Sequence, residues 1–307
     1  MKKYDAIIMG AGHNGLTNAA YLAKAGLDVL VVEKNDYIGG AAVSREIHNG
    51  FTYSNCSYVC SLMRQAIHRD LELTRHGLIL VPYLGTAVFD DDGRALISYT
   101  DGGVDYNHLR KLSPHDADAM RRLQTDLSRY AQLIRKTLLR TPPDPTSFKP
   151  RDIMEMLFLG KEFWSLGEQE IYEYIRFFTM SAAEFLDDYF ENDLVKAAMA
   201  GAGIIGTALG VYSPGSSYIL LHHVMGDVDG NIGAWGLARG GMGAISKAIA
   251  GAATQYGAEI RTNAGVKHML VKNGKAIGVV LENGEELYSN IVVSNLDAKR
   301  TFTKIVN

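Results

Sequence analysis

The chain has 307 residues, 47% of them hydrophobic and 21% charged, enough for one large domain or two smaller ones with true cores. With 31 Lys and Arg against 34 Asp and Glu its formal net charge is -3. No summed positive field draws in phosphate backbones, and nucleic acid is excluded as a partner class. No run approaches the ~20 consecutive apolar residues of a membrane-spanning helix. The nearest, residues 197–212, is interrupted by glycines at 201, 203, 206 and 210. It reads as a closely packed interior segment, with peripheral membrane contact as the alternative.

In chain order, residues 4–9 form a strand whose apolar core is too short for a signal peptide and which runs straight into a glycine turn. Residues 13–24 read as a helix stopped by Gly26, and residues 28–34 as a second strand rich in Val and Leu. Both strands are continuous apolar runs, as expected of parallel strands covered on both faces. Cys56 and Cys60 follow. Their three-residue separation matches neither a CxxC redox pair nor a four-thiolate metal cluster, so the expectation is two reduced thiols in a cytoplasm-like compartment, with a redox disulfide as the sharper alternative.

From residue 61 to 231 the pattern turns helical. A hairpin is expected over 87–90 and 95–99 around Asp91, Asp92 and Gly93, then a helix over 114–139 opened by Ser113 as N-cap with Pro114 in first position. A proline-rich break spans 141–150. The last stretch returns to α/β, with a helix over 244–256, a strand at 259–261, and three strands around the Asn273-Gly274 and Asn283-Gly284 turns. Residues 291–294 then close as a further buried strand. The expected fold class is thus α/β, a Rossmann-like nucleotide-binding domain of parallel strands with a three-stranded antiparallel meander. A largely helical substrate or cap domain is inserted into it. The boundaries are 1–62 and 236–307 for the discontinuous first domain and 63–235 for the second.

Gly10-Ala11-Gly12-His13-Asn14-Gly15 is a GxGxxG run between a strand and a helix. Gly10 permits the tight turn, Gly12 lets backbone approach a diphosphate, Gly15 lets helix and strand pack closely, and the helix N-terminus offers N–H groups to phosphate. Glu33, 18 residues beyond Gly15, ends the second strand where a carboxylate can accept hydrogen bonds from ribose hydroxyls. It also disfavours the 2′-phosphate of NADP. Lys34 is its neighbour. A second glycine loop, Gly39-Gly40-Ala41-Ala42, suits the long, extended FAD.

The segment GAGHNGLTNAAYLAKAGLDVLVVEKNDYIGGAA resembles the opening of the phytoene desaturase-like flavoproteins of the amine oxidase and carotenoid desaturase superfamily. Within these it is most similar to the pyridine nucleotide-disulfide oxidoreductase domain-containing protein 2 group. The likeness continues through GFTYSNCSYVCSL, HGLILVPY, WGLARGGMGAISKAI and GVVLENGEELYSNIVVSN. The resemblance implies FAD as cofactor and places Val266 beside its adenine and Ser294-Asn295 near it. It implies hydride transfer from an organic, apolar small molecule to flavin N5, of C–C desaturation type. C–N oxidation and a low-turnover flavoprotein with an interaction role are the alternatives. Ala41-Ala42 stand where many amine oxidases carry Arg, which weakens the amine reading, and CxxxC is not the CxxxxC of disulfide reductases. No catalytic residue and no metal ligand is nominated.

Three further features have two readings each. Arg239-Gly240-Gly241-Met242-Gly243 could cradle an anion but reads better as tight packing. His222 and His223 are adjacent and cannot easily share a ligand. Trp235, Tyr58 and Tyr218 could wall a cavity, although packing is the commoner role. The family's late C-terminal segment, which completes the sheet, is not seen before Asn307, so a fragment with weakened FAD binding is expected.

Overall fold

In the computed structural model, which describes residues 2–99, 106–228 and 230–306, the chain divides into two compact units. One comprises Met1–Pro82 with Trp235–Asn307, the other Tyr83–Ala234. Residues 100–105 and 229 of the expected middle domain lie outside the description.

The first unit is built on β1 (Lys3–Met9), α1 (His13–Lys24) and β2 (Val29–Val32). Four successive residues of β1, Ala6 to Met9, are fully buried, because alternate side chains serve two cores. Ala6 and Ile8 join the core under α1 and the helix Gly243–Gln255, while Ile7 and Met9 join the opposite core with Leu30, Val32, Val279 and Leu281. Burying each such isoleucine contributes roughly 1.5–3 kcal/mol. The six-stranded sheet runs Glu259–Arg261, β2, β1, Glu286–Ser294, Lys275–Leu281, Val266–Lys272. Its first four strands are parallel and the last two antiparallel.

One expected element merges into another. Residues 291–294 are no separate strand: Glu286–Ser294 is continuous, pairing antiparallel with Lys275–Leu281 at its start and parallel with β1 up to Met9↔Ser294. Nor is its later half fully buried, since Ile291 is 51% exposed. The first unit also keeps residues 63–82, beyond the expected boundary at 62. Leu71, Leu73 and Leu78 are buried in its helix-side core, and Leu80–Pro82 pairs with Gly236–Ala238.

The second unit holds the hairpin Gly85–Phe89 and Ala95–Tyr99 and a set of helices, the longest being Pro114–Arg135. Ser113 caps that helix by accepting from the Asp116 amide at 3.1 Å, with Pro114 in first position. The core is aromatic, Phe177 lying 4.8 Å from Phe185 and 4.9 Å from Tyr130 between ring centroids. Residues 197–212 are not the packed interior segment their composition implied. Only Gly203 among them is buried, against Ala182, and Tyr212 is 82% exposed. The helix Asp193–Ala200 ends at a short 3-10 turn, Gly201–Gly203, and Gly206 takes a left-handed φ of 76°.

Asp116 is fully buried and accepts from the amides of Glu191 and Asn192, each at 3.0 Å. Removing this carboxylate orphans two donors, so Asp116→Ala is expected to cost about 2–4 kcal/mol in urea unfolding. A cost below about 0.5 kcal/mol would show that the amides find other partners.

Candidate functional site

At the carboxyl ends of β1, β2 and Glu286–Ser294 lies a cavity of about 340 Å³. Ligands of open α/β sheets bind at this edge. Ten of the expected residues line it: Gly10, Gly12, His13, Asn14, Glu33, Lys34, Gly40, Ala41, Val266 and Asn295. The other five stand behind the wall. Ala11 and Gly15 are buried, Gly39 bonds its amide to the Ala11 carbonyl at 2.8 Å, and Ala42 accepts from Ser246 Oγ at 2.7 Å. Ser294 turns its hydroxyl to Thr301 Oγ1, 2.7 Å away, rather than into the cavity.

The glycines are dictated by contact. A Cβ on Gly15 would sit 2.3 Å from the Gly10 carbonyl oxygen, and one on Gly12 would sit 2.9 Å from Asn295 Nδ2. Gly40 adopts φ 58° and faces the Gly12 Cα, 3.1 Å from where its own Cβ would be. The second glycine loop is therefore docked on the first. Asn295 closes the third side, its amide donating to the Met9 carbonyl at 2.9 Å.

Glu33 is 8% exposed, and its carboxylate is positioned by backbone rather than by Lys34. Oε2 accepts from the Ala11 amide at 2.9 Å, and Oε1 from the Asn35 amide at 3.0 Å. Oε1 also accepts from Asn35 Nδ2 at 2.9 Å, which fills it, so Oε2 is the oxygen with acceptor capacity left. His13 opens α1, with its ring reaching solvent at the cavity mouth. Desolvation by the surrounding protein still holds its imidazole below the ordinary value, so it is neutral at pH 7.

Met9, Val32, Asn35, Ala264, Gly265, Glu282, Leu296 and Arg300 also line the cavity and were not foreseen. Ala264-Gly265 directly precede Val266, and Asn35 follows Glu33 by two, so adjacency would have found them. Arg300 carries no such signal. It reaches the wall because Asp297 caps a short turn by accepting from the Arg300 amide at 2.8 Å, and among the described residues its guanidinium makes no ion pair.

Other candidate features resolve as packing. Met242 and Gly243 donate their amides to Ser54 Oγ and Ser44 Oγ at 3.0 and 2.9 Å, so β3 (Ser44–His48) and β4 (Phe51–Ser54) occupy the start of that helix. The packing partner of Arg239-Gly240-Gly241-Met242-Gly243 is this hairpin. His222 and His223 hold their rings 5.7 Å apart at 85°, and His223 Nδ1 is engaged with the Ile219 carbonyl at 2.8 Å. Tyr58 meets Trp235 edge-on, whereas Tyr218 stacks on Phe178. Cys56 and Cys60 are free, and burial pushes the Cys60 thiol up.

The pattern of flavin containing amine oxidoreductases matches residues 15–299. The chain belongs to that family. Its cofactor is FAD, and the crowded glycines, the open strand-end cavity and the buried Glu33 acceptor fit a nucleotide of that kind. Among flavin amine oxidoreductase relatives, the rat pyridine nucleotide-disulfide oxidoreductase domain-containing protein 2 is 38% identical over 99% of this chain and 55% of its own length. One of the limonene dehydrogenase polypeptides of Castellaniella defragrans is 27% identical over 100% and 54%. Prolycopene isomerase 1 of an Oncidium hybrid cultivar is 26% identical over 99% and 50%. The chain thus spans about half the length of the curated relatives it matches. Among solved structures, a putrescine oxidase bound to putrescine shares the fold, with TM-score 0.62 at 18% identity over 99% of this chain and 60% of that one.

Because the Gly15 position leaves no room for a methyl group, Gly15→Ala is expected to destabilise the chain by about 1–3 kcal/mol in urea unfolding. Gly257→Ala, where a Cβ meets nothing but φ is 100°, is the comparison for backbone strain alone. Equal costs would show that the Gly10 carbonyl gives way.

Proposed function

We propose that this chain is the FAD-holding part of an FAD-dependent oxidoreductase acting on an organic, apolar small molecule by hydride removal of the C–C desaturation type. The single observation that carries the cofactor site is the Glu33 carboxylate, fixed by the Ala11 and Asn35 amides beside the glycine turn. Glu33 accepts hydrogen bonds from ribose hydroxyls, and the backbone of Gly10 to Gly15, with the start of α1, faces the diphosphate. Gly39 to Ala42 and Asn295 hold that turn in shape, with Ser294 and Lys34 beside them, and Val266 offers backbone to the adenine. Bound FAD supplies the two-electron acceptor.

Support for an apolar substrate comes from relatives named for limonene and prolycopene, both hydrocarbons. The residues of Tyr83–Ala234 serve as the substrate domain on this reading. Two free thiols suit a reducing, cytoplasm-like compartment. Amine oxidation is the second reading, favoured by the family's description.

Absorbance titration of the chain with FAD is expected to show saturable binding. Affinity should fall roughly 10- to 100-fold in Glu33→Gln, the worth of one hydrogen bond to a charged acceptor, and be lost in Gly12→Val. Binding left unchanged by both Glu33→Gln and Gly12→Val would overturn the reading. Substrate-dependent bleaching by a polyene hydrocarbon, and not by diamines, separates desaturation from amine oxidation.

A further inference from the structure

The helix Pro150–Trp164 in the second unit is inverted relative to an ordinary surface helix. Its carboxylates point at the protein: Asp152 is 8% exposed, Glu155 forms a two-point pair with Arg140 at 2.8 and 3.0 Å, and Glu162 pairs with Lys136. One stripe of its apolar residues points away, while Met156, Phe158 and Leu159 are half-buried. Met154, Leu157 and Trp164, spaced by three and seven residues and so on one helix face, are 69%, 68% and 89% exposed, and Phe148 just before the helix is 93% exposed. The charges left outward are Lys149, Arg151 and Lys161, all exposed and all cationic.

A helix with every acid turned inward, and only cations flanking exposed Phe, Met, Leu and Trp, matches the surface of an interfacial amphipathic helix. Water alone gives no return for exposing these side chains. At a bilayer boundary the apolar face enters the headgroup and acyl region while the flanking cations meet anionic lipid. We infer that Pro150–Trp164, with Phe148, is a membrane-docking surface for an anionic bilayer. The partner is assigned by charge complementarity, since the outward face carries three cations and no anion. This inference does not rest on the cofactor reading.

Flotation of the full chain with vesicles tests it, because aggregated protein sinks and bound protein rises. Binding is expected with vesicles of phosphatidylcholine mixed with phosphatidylglycerol, and only weakly with phosphatidylcholine alone. A Lys149→Glu, Arg151→Glu, Lys161→Glu variant should lose affinity by on the order of a hundredfold or more at low salt, three cations each worth about fivefold. A Met154→Ser, Leu157→Ser, Trp164→Ser variant should lose binding outright. With Trp235→Phe leaving Trp164 as the sole tryptophan, bound vesicles should shift its emission to the blue and brominated lipid should quench it. Failure to float with either vesicle, flotation unchanged in both variants, or an unmoved Trp164 emission would overturn the proposal. So would self-association, abolished by the apolar variant, in place of vesicle binding, which would assign the face to a second copy.

Discussion

At the head of the sheet two stretches of backbone and the Asn295 side chain approach so closely that the glycines between them have no room for a Cβ. The Gly10 to Gly15 turn, the Gly39-Gly40 loop and Asn295 leave 2.3 to 3.1 Å where a Cβ would stand at Gly15, Gly12 or Gly40. This crowding needs the parallel pairing of β1 with β2 on one side and with Glu286–Ser294 on the other, because those pairings bring residues 32–40 and 295 to one edge. The cavity is what remains in front of that packed backbone. Its lining combines glycine-loop backbone with the anchored Glu33 carboxylate, the His13 imidazole and the charged side chains of Lys34, Glu282 and Arg300.

The two units solve their polar accounting in different ways. In the first, buried polar groups cluster around the glycine loops, where Glu33 and Ser246 each tie a backbone group of one loop to another element. In the second, Asp116 is the buried anchor, and ion pairs such as Arg140 with Glu155 fix helices at the surface. Exposed pairs of this kind contribute little stability singly. Their consequence is orientational, since satisfying the acids inward leaves the apolar side of Pro150–Trp164 without a protein partner among the described residues.

Most of the first unit was legible in the sequence because its signals are local. An apolar run, GxGxxG and then a carboxylate 18 residues on at the end of a second apolar run read together as a strand feeding a helix, and Asn-Gly turns mark the meander. The strand Glu286–Ser294 was split because its first half pairs with the meander and its second with β1, a change of partner that leaves no mark on the chain. The boundary at 82 rather than 62 reflects Leu71, Leu73 and Leu78, which look like any helical leucines until their core is known. Arg300 and Glu282 escaped notice because their places depend on the turns that follow Ser294 and Leu281, the second tied to the Gly265 carbonyl by the Glu282 amide at 2.7 Å. Residues 197–212 misled because apolar composition reports a tendency to bury, and four glycines make a chain too irregular to do so.

The central claim is that the backbone of Gly10 to Gly15 and Gly39 to Ala42 forms one nucleotide-binding surface. Amide hydrogen exchange of the chain with and without FAD addresses it most directly. The account predicts that both glycine stretches and the Glu33–Asn35 turn gain protection together when FAD is added. Protection confined to Tyr83–Ala234, or absent from the glycine stretches while flavin is bound, would contradict it.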